Sequence, residues 1–499
     1  MGTFRYTTRL PHPRSEVFEW FQRPGALMRL NPPFGGTVRQ EPSRGIEPGS
    51  TAVLGMGAPG SAGMWLGSSA ALAARTLGLP PRLRPEVLWH ARHTALVPGE
   101  SFTDVMASGP LGSWEHTHSF RDAGPDGTVM EDNVEYRLLP DALAGSAAAS
   151  VRPARAAVAL AEERFERELR RFFGYRSRTL RADLAFHHRH AGPPRTIAVA
   201  GASGLIGRQL CALLGGGGHR VIRLVRGQVR HADEVFWDPE TGALDPEDLR
   251  GCDVVVNLAG ATIGGRFTEA NKERIRRSRI DGTTLLAEAL AGLAADGVAR
   301  ALVCGSAVGY YGATPHGKLR NPALLTEDAP AGDDFLAAVC RDWEAACEPA
   351  ARAGVRVVNV RTGLVLTPAG GLLQQLLPLY LAGVGGRLGS GEWQSWVSID
   401  DIAGIFAHAA LDDSMAGPFN GVGPEPVRAA EFASTLGSVL HRPASVPVPA
   451  FGPRLLLGAE GAHILAGASQ RASSAAIEAA GYDFRHRTLP QALRHVLGH

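Results

Sequence analysis

The chain has 499 residues, 44% apolar and 20% charged, an ordinary globular composition but too long for one hydrophobic core, so two domains are expected. A formal net charge of +2 gives no electrostatic reason to expect nucleic acid or an anionic membrane as partner. The five cysteines all follow residue 200 with no C-x-x-C between them, which points to reduced thiols rather than a disulfide scaffold.

From the N-terminus, MGTFRYTTRLPHPRSE has no apolar core of the signal-peptide kind, and Tyr6 stands where myristoylation needs Ser or Thr. The stretch SAGMWLGSSAALAARTLGL is interrupted by Gly and Arg75 and is too weak for a membrane span, while the reduced thiols point to the cytoplasm. Residues 86–139 alternate with period 2. Val87, Trp89, Ala91 and His93 share a face, as do Trp114, His116, His118 and Phe120, and then Met130, Asp132, Val134 and Tyr136. With turn residues at PGE, SGPLG and DAGPDG, this predicts a meander of antiparallel strands. The period then lengthens: Val158, Ala161, Phe165, Leu169 and Phe172 predict a long amphipathic helix, with Gly174 as its stop.

A curved antiparallel sheet followed by one long helix resembles the helix-grip fold of the polyketide-cyclase/START-like (SRPBCC) superfamily. The resemblance covers residues 1–185 and rests also on RPGALMRLNPP, WHARHTALVPGESFTDVMASGPLGSWEHTHSF and EDNVEYRL. It implies an α+β domain with an apolar cavity and an apolar ligand. Histidines are dense here: His90, His93, His116 and His118, then His187, His188 and His190. An H-x-H on a strand places both imidazoles on one face, which permits a metal, but no third ligand is visible in the sequence and no metal is expected. Residues 186–195, around AGPPR, are expected to be the linker.

From Thr196 the text reads TIAVA-GASGLIG-RQLCALLGGGGHR-VIRLVR, a strand, a glycine turn, a helix and a second strand. Gly201 permits the sharp turn, Gly204 lets backbone approach a pyrophosphate, and Gly207 lets the helix lie close to the strand. The loop residues Ser203, Leu205 and Ile206 complete a phosphate-binding helix N-terminus. An NAD site needs a carboxylate at the end of the second strand, whereas this strand ends with Arg226, with Arg223 nearby. A guanidinium pairs bidentately with a 2′-phosphate, so NADP(H) is the expected cofactor. Further strands at 253–260, 300–307 and 355–363 alternate with helical patterns and predict a doubly wound parallel sheet. Asn257, Leu258, Ala259 and Gly260 end one of them, and Ser306 ends another, at the edge where such folds bind ligands.

These pieces resemble the extended and atypical short-chain dehydrogenase/reductases, in particular the branch called epimerase family proteins. The phrases that carry the likeness are WDPETGALD, NLAGATIGGRFTEANKERIRRSRIDGT, CGSAVGYYG, VRTGLVLTPAGGLL, WVSIDDIAG, GPFNGVGPEPV and RASSAAIEAAGYDF. The resemblance runs from residue 196 to the end and implies an α/β Rossmann domain with a smaller C-terminal lobe within 364–499. It also implies a serine, at Ser306, and a Tyr-x-x-x-Lys pair. In the stretch DDFLAAVCRDWE that should hold the pair, Phe335 and Val339 stand instead. The chain's only lysines, Lys272 and Lys318, follow Thr268 and Thr314 by four residues, so no Tyr-x-x-x-Lys exists. Without that lysine a tyrosine keeps a pKa of about 10, and lowering it to 7 is worth about 4 kcal/mol.

The helix motif N-x-x-G-T of the extended enzymes reads here from Arg279 to Thr283. Arg279 either binds an anion in the cleft or forms a salt bridge on its arginine-rich helix. Acid–base work is left to Ser306, Tyr310 and Tyr311, with His316 and Lys318 downstream; the tyrosines otherwise pack in a tight turn. The resemblance places Trp393, Trp396, Asp400 and Asp401 near the cleft mouth, though the tryptophans also read as core residues and an aspartate as a helix cap. Three functions stay open: an NADP(H)-dependent oxidoreductase on a small apolar or carbonyl substrate, a non-catalytic NADP(H) sensor coupled to an apolar ligand, and a nucleotide-sugar epimerase.

Overall fold

The computed structural model describes residues 1–56, 87–124, 126–138, 152–314, 322–386, 391–444, 460–461 and 467–499, with side chains of the helix that opens at 152 described from residue 160. It divides into two compact units. The first comprises Met1–Arg189 with Gly215–Gly218 and His495–His499, the second His190–Leu214 with His219–Arg494. Among the described residues no helix is long and apolar enough to cross a membrane.

In the first unit, strand β1 (Gly2–Leu10) precedes two short helices, α1 (Arg14–Gln22) and α2 (Ala26–Leu30). Strands β2 (Thr37–Gln40), β3 (Ser43–Ile46), β4 (Thr51–Met56), β5 (Val87–Val97), β6 (Ser101–Ser108), β7 (Ser113–Asp122) and β8 (Thr128–Arg137) follow, then helix α3 (Arg152–Arg189). Seven strands form one antiparallel sheet in the order β1-β8-β7-β6-β5-β4-β2. The predicted alternation is met: Met130, Asp132, Val134 and Tyr136 are all buried on one face of β8. Against that face pack Leu169, Phe173, Leu180 and Leu184 of α3, together with Val17, Phe18 and Phe21 of α1.

Helix α3 does not stop at Gly174, as its sequence had suggested. A stop glycine works by adopting positive φ, and Gly174 keeps a helical backbone. A mid-helix glycine costs about 1 kcal/mol. Burial of Leu180, Leu184 and Phe186 beyond it offsets that at roughly 1.5–3 kcal/mol each. Residues 186–189, expected to open the linker, therefore belong to α3.

One ion pair ties α2 to α3 inside this unit. Arg29 Nε donates to Asp183 Oδ2 at 2.8 Å and its Nη2 to Oδ1 at 2.9 Å, with both side chains fully buried. Removing one partner of such a pair strands the other charge in a medium that cannot solvate it. Asp183→Ala is expected to destabilise the first unit by about 3–5 kcal/mol. The check is a urea titration of the full chain followed by circular dichroism, in which the earlier transition should move to lower denaturant.

The second unit starts with β9 (Thr196–Ala200), α4 (Leu205–Gly216), β10 (Arg220–Val225), β11 (Glu234–Phe236), β12 (Val254–Asn257), α5 (Glu269–Leu293) and β13 (Ala301–Ala307). It continues with α6 (Phe335–Ala345), α7 (Glu348–Arg352), β14 (Arg356–Thr362), β15 (Leu364–Leu366), α8 (Gly371–Leu381), β16 (Trp393–Gln394) and β17 (Trp396–Ser398). Helix α9 (Ile399–Leu411), β18 (Gly417–Gly421), β19 (Val427–Arg428), α10 (Ala429–Leu440), α11 (Ala475–Ala479) and α12 (Leu489–Leu497) complete it. The main sheet is β11-β10-β9-β12-β13-β14-β18, every pair parallel. Strand order reverses between β9 and β12, and a crevice at such a reversal is where open α/β sheets bind ligands.

The C-terminal residues are fastened to α9. Ser398, not an aspartate, caps that helix, its Oγ accepting from Asp401 N at 3.0 Å. Buried Asp401 instead accepts from Arg485 N at 2.8 Å and from Tyr482 Oη at 3.2 Å. Trp396 is fully buried and donates to Glu425 O at 2.7 Å, as a core tryptophan should. Trp393 is only half-buried, with Arg428 and Arg471 guanidinium carbons 4.2 and 4.4 Å from its ring centre.

Candidate functional site

The turn from β9 to α4 is built by two glycines that have no room for a side chain. Gly201 has φ +78°, and a methyl there would lie 2.7 Å from the Leu258 carbonyl carbon at the end of β12. A methyl on Gly207 would lie 2.2 Å from Gly201 O. Leu258 N donates to Ala200 O at 2.9 Å, which brings the Leu258–Gly260 segment beside the turn. Ser203 and Gly204 are exposed at its tip, and Leu205 and Ile206, both half-buried, open α4. The first turn of α4 carries no acidic side chain, so its free N–H groups face no carboxylate of their own helix. These features fit a dinucleotide pyrophosphate.

The two arginines of β10 differ. Arg223 Nη2 reaches Asp233 at 2.8 Å and Glu234 at 3.6 Å, while its Nε is buried without a hydrogen-bond partner among the described residues. Arg226, just past the strand's carboxyl end, is exposed.

On the other side of the turn, Asn257 is fully buried; its amide donates to Thr283 Oγ1 at 2.9 Å and its carbonyl accepts from Ala259 N at 3.1 Å. Trp343 Nε1 donates to the same Thr283 oxygen at 2.9 Å, so one threonine pins β12, α5 and α6 together. Arg279 lies against Gly260, where a methyl would stand 3.3 Å from its guanidinium carbon. Its Nη1 donates to Ala261 O and Ile275 O, both at 3.1 Å, and its guanidinium carbon is 5.1 Å from the Trp343 ring centre. Burial pulls its pKa down, and among the described residues no carboxylate pairs with it. The salt-bridge reading of Arg279 is thus not met there.

The hydroxyl candidates sit in a polar network inside the sheet. Ser306, buried at the end of β13, donates to Glu344 Oε1 at 2.6 Å. Glu344 also receives a two-pronged contact from Arg361, Nε to Oε1 at 2.8 Å and Nη2 to Oε2 at 2.9 Å. Arg361 Nη1 donates to Tyr311 Oη at 3.1 Å, and Tyr311 donates in turn to Asn420 Oδ1 at 2.7 Å. Tyr311 is 1% exposed, and its burial raises its pKa against the opposing pull of Arg361, so it stays a neutral phenol. Tyr310 is half-buried with its ring centre only 3.5 Å from the Arg361 guanidinium carbon. Burial pushes the pKa of Arg361 down, but the facing Glu344 outweighs it and the net shift is upward.

Glu344 and Arg361 were not among the residues that sequence reasoning singled out. A signal was there: an arginine near the carboxyl end of the central strand VRVVNVRTG demands a buried partner. Phe335 opens α6 with Phe267 at 5.6 Å between ring centres and Lys272 Nζ 5.4 Å from its ring centre. Lys272 is itself paired with Glu460 at 2.7 Å, and Val339 is buried in the core. His316 and Lys318 lie outside the described residues. Glu344→Ala is expected to leave Arg361 uncompensated and to destabilise the second unit by about 3–5 kcal/mol, read as an earlier thermal transition.

The middle of the first unit's inward face is polar rather than uniformly apolar. Asp104, His116, His118 and Asp132 lie together there, with the two histidine ring centres 3.9 Å apart. Asp104 stands on the strand next to the one that carries the two histidines, a placement that the sequence does not reveal.

A seven-stranded parallel sheet with a glycine-bounded phosphate turn at its reversal defines the second unit as a dinucleotide-binding Rossmann fold. Residues 197–420 match the model of the NAD dependent epimerase/dehydratase family, and residues 448–496 match a domain of unknown function, DUF1731. The epimerase family protein Mb2239 of Mycobacterium bovis is 41% identical over 302 residues, covering 60% of this chain and 96% of its own. The chloroplastic SDR39U1 homolog of Arabidopsis thaliana is 35% identical over 310 residues, 60% of this chain and 86% of that one. Among solved structures, a nucleoside-diphosphate sugar epimerase from Corynebacterium glutamicum matches with TM-score 0.74 and 33% identity, over 99% of this chain and 90% of that one. Human SDR39U1 isoform 2, solved with NADPH, matches with TM-score 0.52 and 30% identity, over 60% of this chain and 99% of its own. The chain belongs to the NAD dependent epimerase/dehydratase family, in the atypical short-chain dehydrogenase/reductase branch of epimerase family proteins.

Proposed function

We propose that the second unit binds NADP(H) and acts as an oxidoreductase on a small apolar or carbonyl-bearing substrate, without the usual tyrosine–lysine pair. The observation that carries the reading is the glycine turn with exposed Arg226 at the end of the neighbouring strand. Gly201 and Gly207 hold the turn tight, Ser203, Gly204, Leu205 and Ile206 offer backbone to the pyrophosphate, and Arg226 meets the 2′-phosphate. The NADPH bound to human SDR39U1 supports the same cofactor here. Leu258, Ala259, Gly260 and Arg279 line the far side of the site. When bound, the nicotinamide supplies or accepts a hydride.

Of the three hydroxyls, Tyr310 is the proton donor in this reading. Ser306 spends its proton on Glu344, and Tyr311 spends its own on Asn420. Arg361 stacks on Tyr310 with its charge already balanced by Glu344, and so orients the ring. The antiparallel sheet with its long C-terminal helix supports a helix-grip domain in the first unit. The second reading, cofactor binding without turnover, draws on those same internally engaged hydroxyls. Epimerisation of nucleotide sugars, for which the Corynebacterium protein is named, ranks third because the chain has no Tyr-x-x-x-Lys. The intact chain is expected to act in the cytoplasm.

Titration of the cofactor-free protein, followed by nicotinamide fluorescence, is expected to give tighter binding of NADPH than of NADH. Arg226→Asp should remove that preference, a loss of about 10–100-fold in NADPH affinity for one charge-assisted contact. Equal affinities in the wild type would defeat the NADP(H) assignment. In a screen of carbonyl substrates, Tyr310→Phe should lower turnover by about 100-fold or more with NADPH binding unchanged. Retained turnover in that variant would move the proton donor elsewhere.

A further inference from the structure

We propose that the first unit holds a divalent transition-metal ion, of the Zn²⁺ class, on Asp104, His116 and His118, with Asp132 orienting both histidines from behind. The residues come from three adjacent strands. Asp104 on β6 pairs in register with His116 on β7, and His118, two residues on, pairs with Asp132 on β8. All therefore point to the same face of the sheet, the one covered by Phe173 of α3, whose ring centre is 5.3 Å from that of His116.

The spacing is that of ligands around an ion. Asp104 Oδ2 is 3.4 Å from His116 Nδ1 and 3.9 Å from His118 Nε2, and the three ligand atoms lie within 4.8 Å of one another. Zinc bonds to nitrogen and oxygen of about 2.0–2.2 Å place tetrahedral ligands roughly 3.4 Å apart. A hydrogen bond between nitrogen and oxygen would close to about 2.9 Å instead.

The opposite nitrogens complete the case. His116 Nε2 and His118 Nδ1 stand 3.0 and 2.8 Å from the same oxygen, Oδ1 of Asp132. A carboxylate that takes the second nitrogen of each ligating imidazole fixes its tautomer and turns the first nitrogen toward the ion. His118 Nδ1, though this close, is buried without a properly directed hydrogen bond, so a small rotation of the ring on metal binding gains that contact as well. His116, His118 and Asp132 are 4%, 3% and 2% exposed, and such a concentration of polar atoms is costly in a core without something to ligate. The neighbouring cation is Arg176 on α3, half-buried over the rings of Phe172 and Phe173, its charge favoured by both aspartates. It balances one of the two carboxylates and leaves the other for the ion. Two histidines and one carboxylate leave coordination positions open, and His93 on β5 stands in register with Asp104 along the same row.

The full-length chain, stripped with a chelator, would be titrated with Co²⁺ by absorption and with Zn²⁺ by calorimetry. The expected result is one ion per chain. Asp104→Asn and His118→Gln should each weaken binding by about 100-fold or more, and Asp132→Asn by roughly 10–100-fold. Circular dichroism of each variant separates loss of the site from loss of the fold. If the variants do not fold, X-ray absorption of the zinc-loaded wild type decides, since two imidazoles must appear in the first shell. No saturable binding by folded wild type, unchanged affinity in folded Asp104→Asn, or a first shell without imidazole would each overturn the site. The cluster would then be a closed network with a proton on His116 in place of the ion.

Discussion

The buried Arg361–Glu344 contact is the constraint around which the second unit is arranged. A guanidinium in the middle of a parallel sheet cannot be left without acceptors, and here every one of its donor nitrogens has one. Satisfying it draws in α6 through Glu344, the turn after β13 through Tyr311, and the 327 segment through a backbone carbonyl. Asn420 on β18 is then held from both sides, by Tyr311 and by Glu327. Ser306 is caught in the same mesh. The carboxyl ends of three strands are thus tied together by side-chain hydrogen bonds.

The same network separates two adjacent tyrosines that look equivalent in one dimension. Tyr311 faces inward and closes the network, while Tyr310 lies flat on the arginine. Arg361 stands beside both rings, with its charge matched by Glu344. Arg279 offers a different case, a half-buried cation whose described contacts are backbone carbonyls and the Trp343 ring, set beside Gly260. An anionic group arriving there would find a guanidinium already desolvated and oriented.

Much of the architecture was legible from periodicity. The parallel half announces itself because strands buried on both faces read as continuous apolar runs, and Gly201 and Gly207 can be explained only by close backbone approach. The antiparallel half was legible through alternation, down to which residues of β8 face inward. Boundaries were less so. Gly174 misled because a glycine ends a helix only when the chain beyond it has nothing to bury, and Leu180, Leu184 and Phe186 do. Asp401 misled because a capping aspartate and one that fastens a distant loop look alike until Tyr482 and Arg485 are seen beside it.

The sequence by itself determined the two kinds of sheet, the phosphate turn, the arginine at the end of the second strand and the loss of the tyrosine–lysine pair. Each is written in local spacing, and local spacing sets backbone conformation and side-chain direction. Which charges meet was decided by the tertiary structure. Arg361 finds Glu344 across 17 residues, His116 and His118 find Asp104 and Asp132 only through strand register, and Arg223 is drawn to Asp233 while Arg226 is left exposed. Pairing of this kind depends on strand order and on burial, because an ionisable group in a low-dielectric interior takes whichever partner the fold brings within reach.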